Sequence, residues 1–221
     1  MSISPITESE LPATIAAERR DLAHVLSDLP ALAWDESTLC AGWRVREVVA
    51  HMTMPFRYSA TRFAAELARS GGRFHAMSDR IARRDAAAIA AADLLSVLRD
   101  NATNPWKPPG GGYVGALTHD VIHGLDINVP LGIGRRVPEA RLRAVLAAVA
   151  APKARKHFGA DLAGVRLSAE DIEWTAGAPG SGQLLSGAAQ DLALVLCGRK
   201  LPPGRLHGEA AARFTAATAG A

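Results

Sequence analysis

Apolar residues recur at three-and-four spacing from about residue 11 to residue 151, and proline or glycine cuts each run. A chain written this way buries its apolar stripes by packing helix on helix. Leu22, Val25, Leu26 and Leu29 place a helix over Pro12 to Leu29, and Pro30 ends it. A second stripe runs through Val45, Val48, Val49, Met52 and Phe56, kinked at Pro55, and resumes through Phe63 and Leu67 to the Gly71–Gly72 pair. Asp79 to Asn101, rich in Ala, Leu and Arg, predicts one long helix. Three prolines and three consecutive glycines break the chain over 104–112. A fourth main helix spans Tyr113 to Leu125, and a short one, Glu139 to Ala151, follows the loop Pro130 to Pro138. The expected fold is mainly α, an up-and-down bundle of four main helices over residues 1–151.

The pattern then changes. Val165-Arg166-Leu167 and Asp171-Ile172-Glu173-Trp174 alternate like short strands, and Gly177 to Gly182 reads as a turn-rich connector. Ala188 to Cys197 reads as a helix with Gly198 as its cap. A small C-terminal α/β unit is expected over 158–221.

Composition narrows the function. No stretch of about 20 apolar residues occurs, which gives no transmembrane helix. Met1 to Glu10 lack a basic region followed by an apolar run, so no secretory signal is read. The two cysteines, Cys40 and Cys197, make neither a disulfide scaffold nor a thiolate zinc cage, which points to the reducing cytoplasm. The net charge is +3, carried mostly by arginine, and the abundance of Ala and Arg matches a GC-rich genome. The densest basic stretch, Arg135 to Arg143, is interrupted by Glu139 and has no interleaved aromatics, so nucleic acid is not expected as a partner.

Among the seven histidines, His119 and His123 stand four apart on the fourth helix and share one face. Such a pair either holds a metal or is two solvated helix residues. His51 lies mid-helix in an apolar stretch; a bundle can bring it across as a third ligand, or it is a hydrogen-bonded core residue. Three nitrogens with an open fourth position describe a catalytic rather than a structural metal site. Asp126 is placed to hold a ligand imidazole by its second nitrogen, or to cap the helix. Glu47, one turn before His51, reads as a base or outer partner of the site, or as a surface carboxylate paired with arginine. Arg57, six residues past His51, reads as a surface residue or as one that meets a substrate carboxylate. Cys40 reads as a buried small hydrophobe or a reactive thiol. No phosphate loop follows the glycine run, and no Gly-x-Ser-x-Gly elbow occurs.

The segment Leu39-Cys40-Ala41-Gly42-Trp43-Arg44-Val45-Arg46-Glu47-Val48-Val49-Ala50-His51-Met52 resembles the start of the second helix in the mycothiol-dependent maleylpyruvate isomerase family, one of the DinB-like metal-binding bundles. His119-Asp120-Val121-Ile122-His123-Gly124-Leu125-Asp126-Ile127, with Pro130-Leu131-Gly132 after it, is similar to the family's second ligand segment. Asp171 to Trp174, Gly187 to Leu192 and Cys197-Gly198-Arg199 resemble the small C-terminal domain often attached to it. The resemblance implies that His51, His119 and His123 hold a metal. Zinc is the first choice, although three imidazoles also suit nickel, iron or copper. It implies mycothiol, an actinobacterial thiol, as cofactor, with a small electrophilic substrate. Arg199, Arg205 and Arg213 are candidates for contacts to the thiol's carbohydrate. The family's isomerase branch carries a carboxylate where His119 stands here, so this site has one more positive charge. Arg44 occupies the expected Ser or Thr helix cap, which removes a capping oxygen.

The expected activity is thiol activation at the metal. A thiol that adds to a cis double bond and leaves after rotation isomerises it; one that stays attached gives S-transfer. The alternatives are a metal-dependent hydrolase and a non-catalytic binding protein on the same scaffold. A monomer or a homodimer fits equally.

Overall fold

The computed structural model describes residues 5–158, 160–177 and 182–217. Its contacts divide the chain into two compact units, one over Glu8–Leu131 and the other carrying the residues from Gly132 onward.

In the first unit, α1 (Leu11–Ser27) precedes a short 3-10 turn (Ala31–Asp35), α2 (Val45–Arg57), α3 (Ala60–Arg69), α4 (Phe74–Ala88), α5 (Ala91–Asp100) and α6 (Gly112–Asn128). Helix α1 packs on α5 and α6, while α2 lies against α4, α5 and α6. The stripe read from the sequence forms the core: Leu22, Leu26, Val45, Val48, Val49 and Met52 are buried with Leu94, Leu98 and Ile127. Complete burial of one such side chain stabilises by about 1.5–3 kcal/mol.

Two expected helices are divided. The stripe through Pro55 is not one kinked rod. Pro55 sits in the last turn of α2, the chain is extended at Tyr58 and Ser59, and the Ser59 side chain accepts the Arg62 N–H to start α3. The long helix over Asp79 to Asn101 breaks at Ile89 and Ala90, both extended. Local propensity favours continuity there, but packing both halves against α2 overrides it. Among the described residues, no helix is long and apolar enough to cross a membrane.

Helix α3 is fastened by a charge cluster. Glu66, whose side chain is 3% exposed, meets Arg84 at 2.9 Å, Arg80 at 2.8 Å and Arg69 at 3.5 Å. Hydrogen bonds from Arg84 and Arg80 outweigh burial and pull the Glu66 carboxyl down to about 2. Its stabilising charge is therefore complete above its ordinary value of 4.5 and is lost as pH falls toward 2. Glu66→Gln should flatten the acid limb of stability against pH in that window and leave the slope near pH 7 unchanged. Denaturant melts across pH 2 to 7 check this; identical acid limbs in the two proteins would refute it.

The second unit holds α7 (Glu139–Ala150), α8 (Pro152–Phe158), β1 (Val165–Ala169), β2 (Thr175–Ala176), β3 (Gln183–Gly187), α9 (Ala189–Leu196), β4 (Leu206–His207) and α10 (Ala211–Phe214). Its sheet has the order β2-β1-β3-β4, with β1 and β3 parallel and both edge strands antiparallel. Helix α9, nearly all apolar and buried, packs on β1 and β3. Helix α7 also packs on α9, so it groups with the sheet, and the unit boundary falls at Gly132 rather than near residue 151. Asp171 to Trp174 is not a strand: the Asp171 carboxylate accepts the Ala189 N–H at 2.8 Å and starts α9. Of the Gly177 to Gly182 connector, 178–181 lie outside the described residues.

Candidate metal centre

Helix α2 supplies His51, and α6 supplies His119 and His123 from one face. The three rings meet. His51 Nε2 lies 3.2 Å from His119 Nε2, and the ring centroids stand 4.8, 4.9 and 5.1 Å apart. One ligand nitrogen from each residue falls within 4.8 Å of the others.

The other nitrogen of each ring is tied from behind. Ser78 Oγ, on α4, lies 2.9 Å from His51 Nδ1; Asp120 Oδ1 lies 2.9 Å from His119 Nδ1; Asp126 Oδ2 lies 3.0 Å from His123 Nδ1. An ionised carboxylate only accepts, so the bonding pattern assigns the proton of His119 and His123 to Nδ1 and turns the Nε2 lone pair inward. The Ser78 hydroxyl can donate to or accept from His51 Nδ1, and it accepts in the tautomer that turns the Nε2 lone pair inward. In that tautomer two inward lone pairs 3.2 Å apart repel each other unless a cation or a proton stands between them. Nitrogens about 2.0–2.1 Å from a tetrahedral zinc sit roughly 3.3–3.4 Å apart. The 3.2 Å edge between His51 and His119, with a His123 donor within 4.8 Å of both, fits a divalent cation held by neutral imidazoles.

Arg19 of α1, fully buried, fixes the backing of His119. Its Nε donates to Asp120 Oδ2 at 2.7 Å, and its Nη1 donates to the Asn104 carbonyl at 2.8 Å. Two residues on, Trp106 lies edge-on to His119 at 5.3 Å. Trp43 lies against His51 at 5.2 Å, and its indole N–H donates to Asp79 at 2.7 Å. Hydrogen bonds from Arg83 and then Trp43 hold the Asp79 carboxyl below the usual carboxylate range. A tight turn delivers Trp43: the Cys40 carbonyl accepts the Trp43 N–H at 2.9 Å, and Gly42 takes φ +76°, a region L side chains resist.

The same turn brings in Cys40, which the sequence left between core residue and reactive thiol. Its Sγ lies 3.0 Å from Asp126 Oδ2 and 3.7 Å from His123 Nδ1, and the neighbouring Leu39 N–H bonds the Asp126 carbonyl at 3.0 Å.

Of the residues singled out from sequence, His51, His119, His123 and Asp126 converge. Glu47 stands outside this cluster of donor atoms. Its carboxylate accepts the Arg44 backbone N–H at 2.8 Å and Arg44 Nη2 at 2.6 Å. Burial pushes the Glu47 carboxyl up, but these bonds outweigh it and hold it below its usual range. Arg44 thus starts α2 without a capping hydroxyl by drawing in Glu47. Arg57 is also engaged: Nη1 pairs with Asp85 at 2.6 Å, and Nη2 donates to the Ala50 carbonyl at 2.7 Å. Arg199, in the second unit, donates to the Cys197 carbonyl at 2.7 Å beside the end of α9. Arg205 pairs with Asp191, and Arg213 with Asp161. Sequence reasoning missed Ser78, Asp120 and Arg19. Asp120 had a signal in its place beside His119, whereas Ser78 and Arg19 had none.

Residues 15–104 match the family model of the mycothiol maleylpyruvate isomerase N-terminal domain, a span that includes His51 and Ser78 but ends before His119. The fold resembles the crystal structure of the mycothiol-dependent maleylpyruvate isomerase, with TM-score 0.50 and 14% identity over 95% of this chain and 97% of that one. A histidine-to-alanine variant of that enzyme matches with TM-score 0.52 at the same identity and coverage. No match was found among curated proteins. The resemblance read from the sequence is thereby borne out, and the structural likeness extends it to the fold of nearly the whole chain.

Proposed function

We propose that this protein is a metal-dependent enzyme that activates a low-molecular-weight thiol, mycothiol, for S-transfer to a small electrophile or for its cis–trans isomerisation. The observation that carries the reading is the set of three imidazoles with Nδ1 held from behind and Nε2 turned to one point. His51, His119 and His123 would hold a divalent cation, which when bound would supply a Lewis acid able to acidify a thiol of ordinary pKa about 8.5. Asp120 and Asp126 fix the ring orientations and raise the basicity of the Nε2 donors. Trp43 and Trp106 flank two of the imidazoles and restrict water beside them. Zinc is the metal proposed, with nickel next. The likeness to maleylpyruvate isomerase structures supports a thiol as co-substrate. Glu47 and Arg57, tied to Arg44 and Asp85, are not assigned to the chemistry. Arg199 stays a proposed thiol contact through the family resemblance alone. The cytoplasm is the proposed location, from cysteine usage.

Turnover of a panel of small electrophiles, with and without mycothiol, tests the proposal on zinc-loaded protein. Product that appears only with thiol supports it. Hydrolysis at the same rate without thiol would replace it with the hydrolase reading.

A further inference from the structure

His123 has two nitrogens, and the thiol-activating site uses only Nε2. Its Nδ1 belongs to a second cluster formed with Cys40 Sγ and Asp126 Oδ2. The edges of that triangle are 3.0 Å from Sγ to Oδ2, 3.0 Å from Nδ1 to Oδ2 and 3.7 Å from Sγ to Nδ1. The geometry points to a second cation site, for a thiophilic divalent ion such as zinc or cadmium, in which His123 bridges two metals through its opposite nitrogens.

Three features support this site. The donor set of thiol, imidazole and carboxylate is one that soft and borderline ions select. The donors are held on separate elements: α6 fixes His123 and Asp126 three residues apart, and the Leu39–Asp126 backbone bond docks the turn bearing Cys40. Asp126 is fully buried, but Cys40 is only half-buried and gives an ion a way in. Bond lengths to zinc of about 2.3 Å for sulfur and 2.0–2.2 Å for nitrogen and oxygen require edges of roughly 3.3–3.6 Å. The sulfur–nitrogen edge, 3.7 Å, lies just above that range. The two shorter edges are those bridged by protons, and they open by about half an ångström when the ion enters and the thiol and Nδ1 protons leave to solvent.

This inference goes beyond the proposed function and shares His123 with it. Cadmium titration of the metal-free protein tests it, with uptake counted by mass spectrometry and sulfur coordination read from the ultraviolet sulfur-to-cadmium band. Wild type should take two equivalents, one of which develops the band. Cys40→Ser and Cys40→Ala should take one equivalent without the band, and Cys197→Ser should keep both equivalents and the band. His51→Ala should lose the bandless equivalent and keep the other. Circular dichroism confirms that each variant folds. A single bandless equivalent in wild type, or a band that survives Cys40→Ser, would overturn the second site and leave the thiol-activating reading standing. Two equivalents in His51→Ala would overturn that reading instead, and no uptake at all would overturn both.

Discussion

Arg19→Met is expected to lower folding stability by about 3–5 kcal/mol, the cost of removing one partner from a buried ion pair. Arg19 and Asp120 are 0% and 3% exposed, so water cannot replace either partner. Methionine preserves much of the packing against Phe56 but leaves the Asp120 carboxylate without its cation and the Asn104 carbonyl without its donor. Chemical denaturation should show a lower midpoint at unchanged slope. The double variant Arg19→Met with Asp120→Asn should recover part of the loss, because the uncompensated charge is gone. A single-variant loss under about 1 kcal/mol, typical of an exposed pair, would show that the pair does not hold the bundle. Asp120 also backs His119, so the same substitution should weaken metal binding, whereas an exposed pair such as Arg99–Asp100 should affect neither property.

This link between α1 and the histidine cluster marks the boundary of what the sequence makes legible. Helical periodicity reports which face is buried, and the stripe from Val45 to Met52 does form the core. Spacing of four placed His119 and His123 together, and three more residues placed Asp126 behind His123. These are short-range relations on one helix. Ser78 reaches His51 from 27 residues away, and Arg19 reaches Asp120 from 101 away, so no local period encodes either contact. Charged residues were read with alternatives for a related reason: Glu47, read as a base or as a carboxylate paired with arginine, pairs with Arg44 three residues before it, and Arg57, six residues past His51, pairs with Asp85. The break at Ile89 and Ala90 is likewise tertiary, since every residue from Asp85 to Ala92 except Ile89 and Asp85 is alanine.

His51→Ala should abolish tight metal binding at the three-histidine site, whereas Ser78→Ala should only weaken it there. Deleting an outer partner of a ligand imidazole costs roughly 10–100-fold in affinity. Ser78→Ala removes the hydroxyl at His51 Nδ1 but leaves all three inward nitrogens, so its effect should lie near the lower end of that range. His51→Ala removes one of three ligands, the only one contributed by α2, and should exceed about 100-fold. Thermal melts offer a second measure. A ligand present at 100 times its dissociation constant stabilises by about 2.7 kcal/mol, and a chain of this size gains about 2–4 °C per kcal/mol. In a Cys40→Ser background, which removes the second site, the parent protein should then lose roughly 5–10 °C on treatment with a chelator, Ser78→Ala somewhat less, and His51→Ala almost nothing. The ordering is the decisive feature, because a merely structural histidine would lower all melting temperatures equally with and without the metal. Equal chelator sensitivity in that parent and in His51→Ala would remove His51 from the ligand set, and with it the observation on which the thiol-activating function rests.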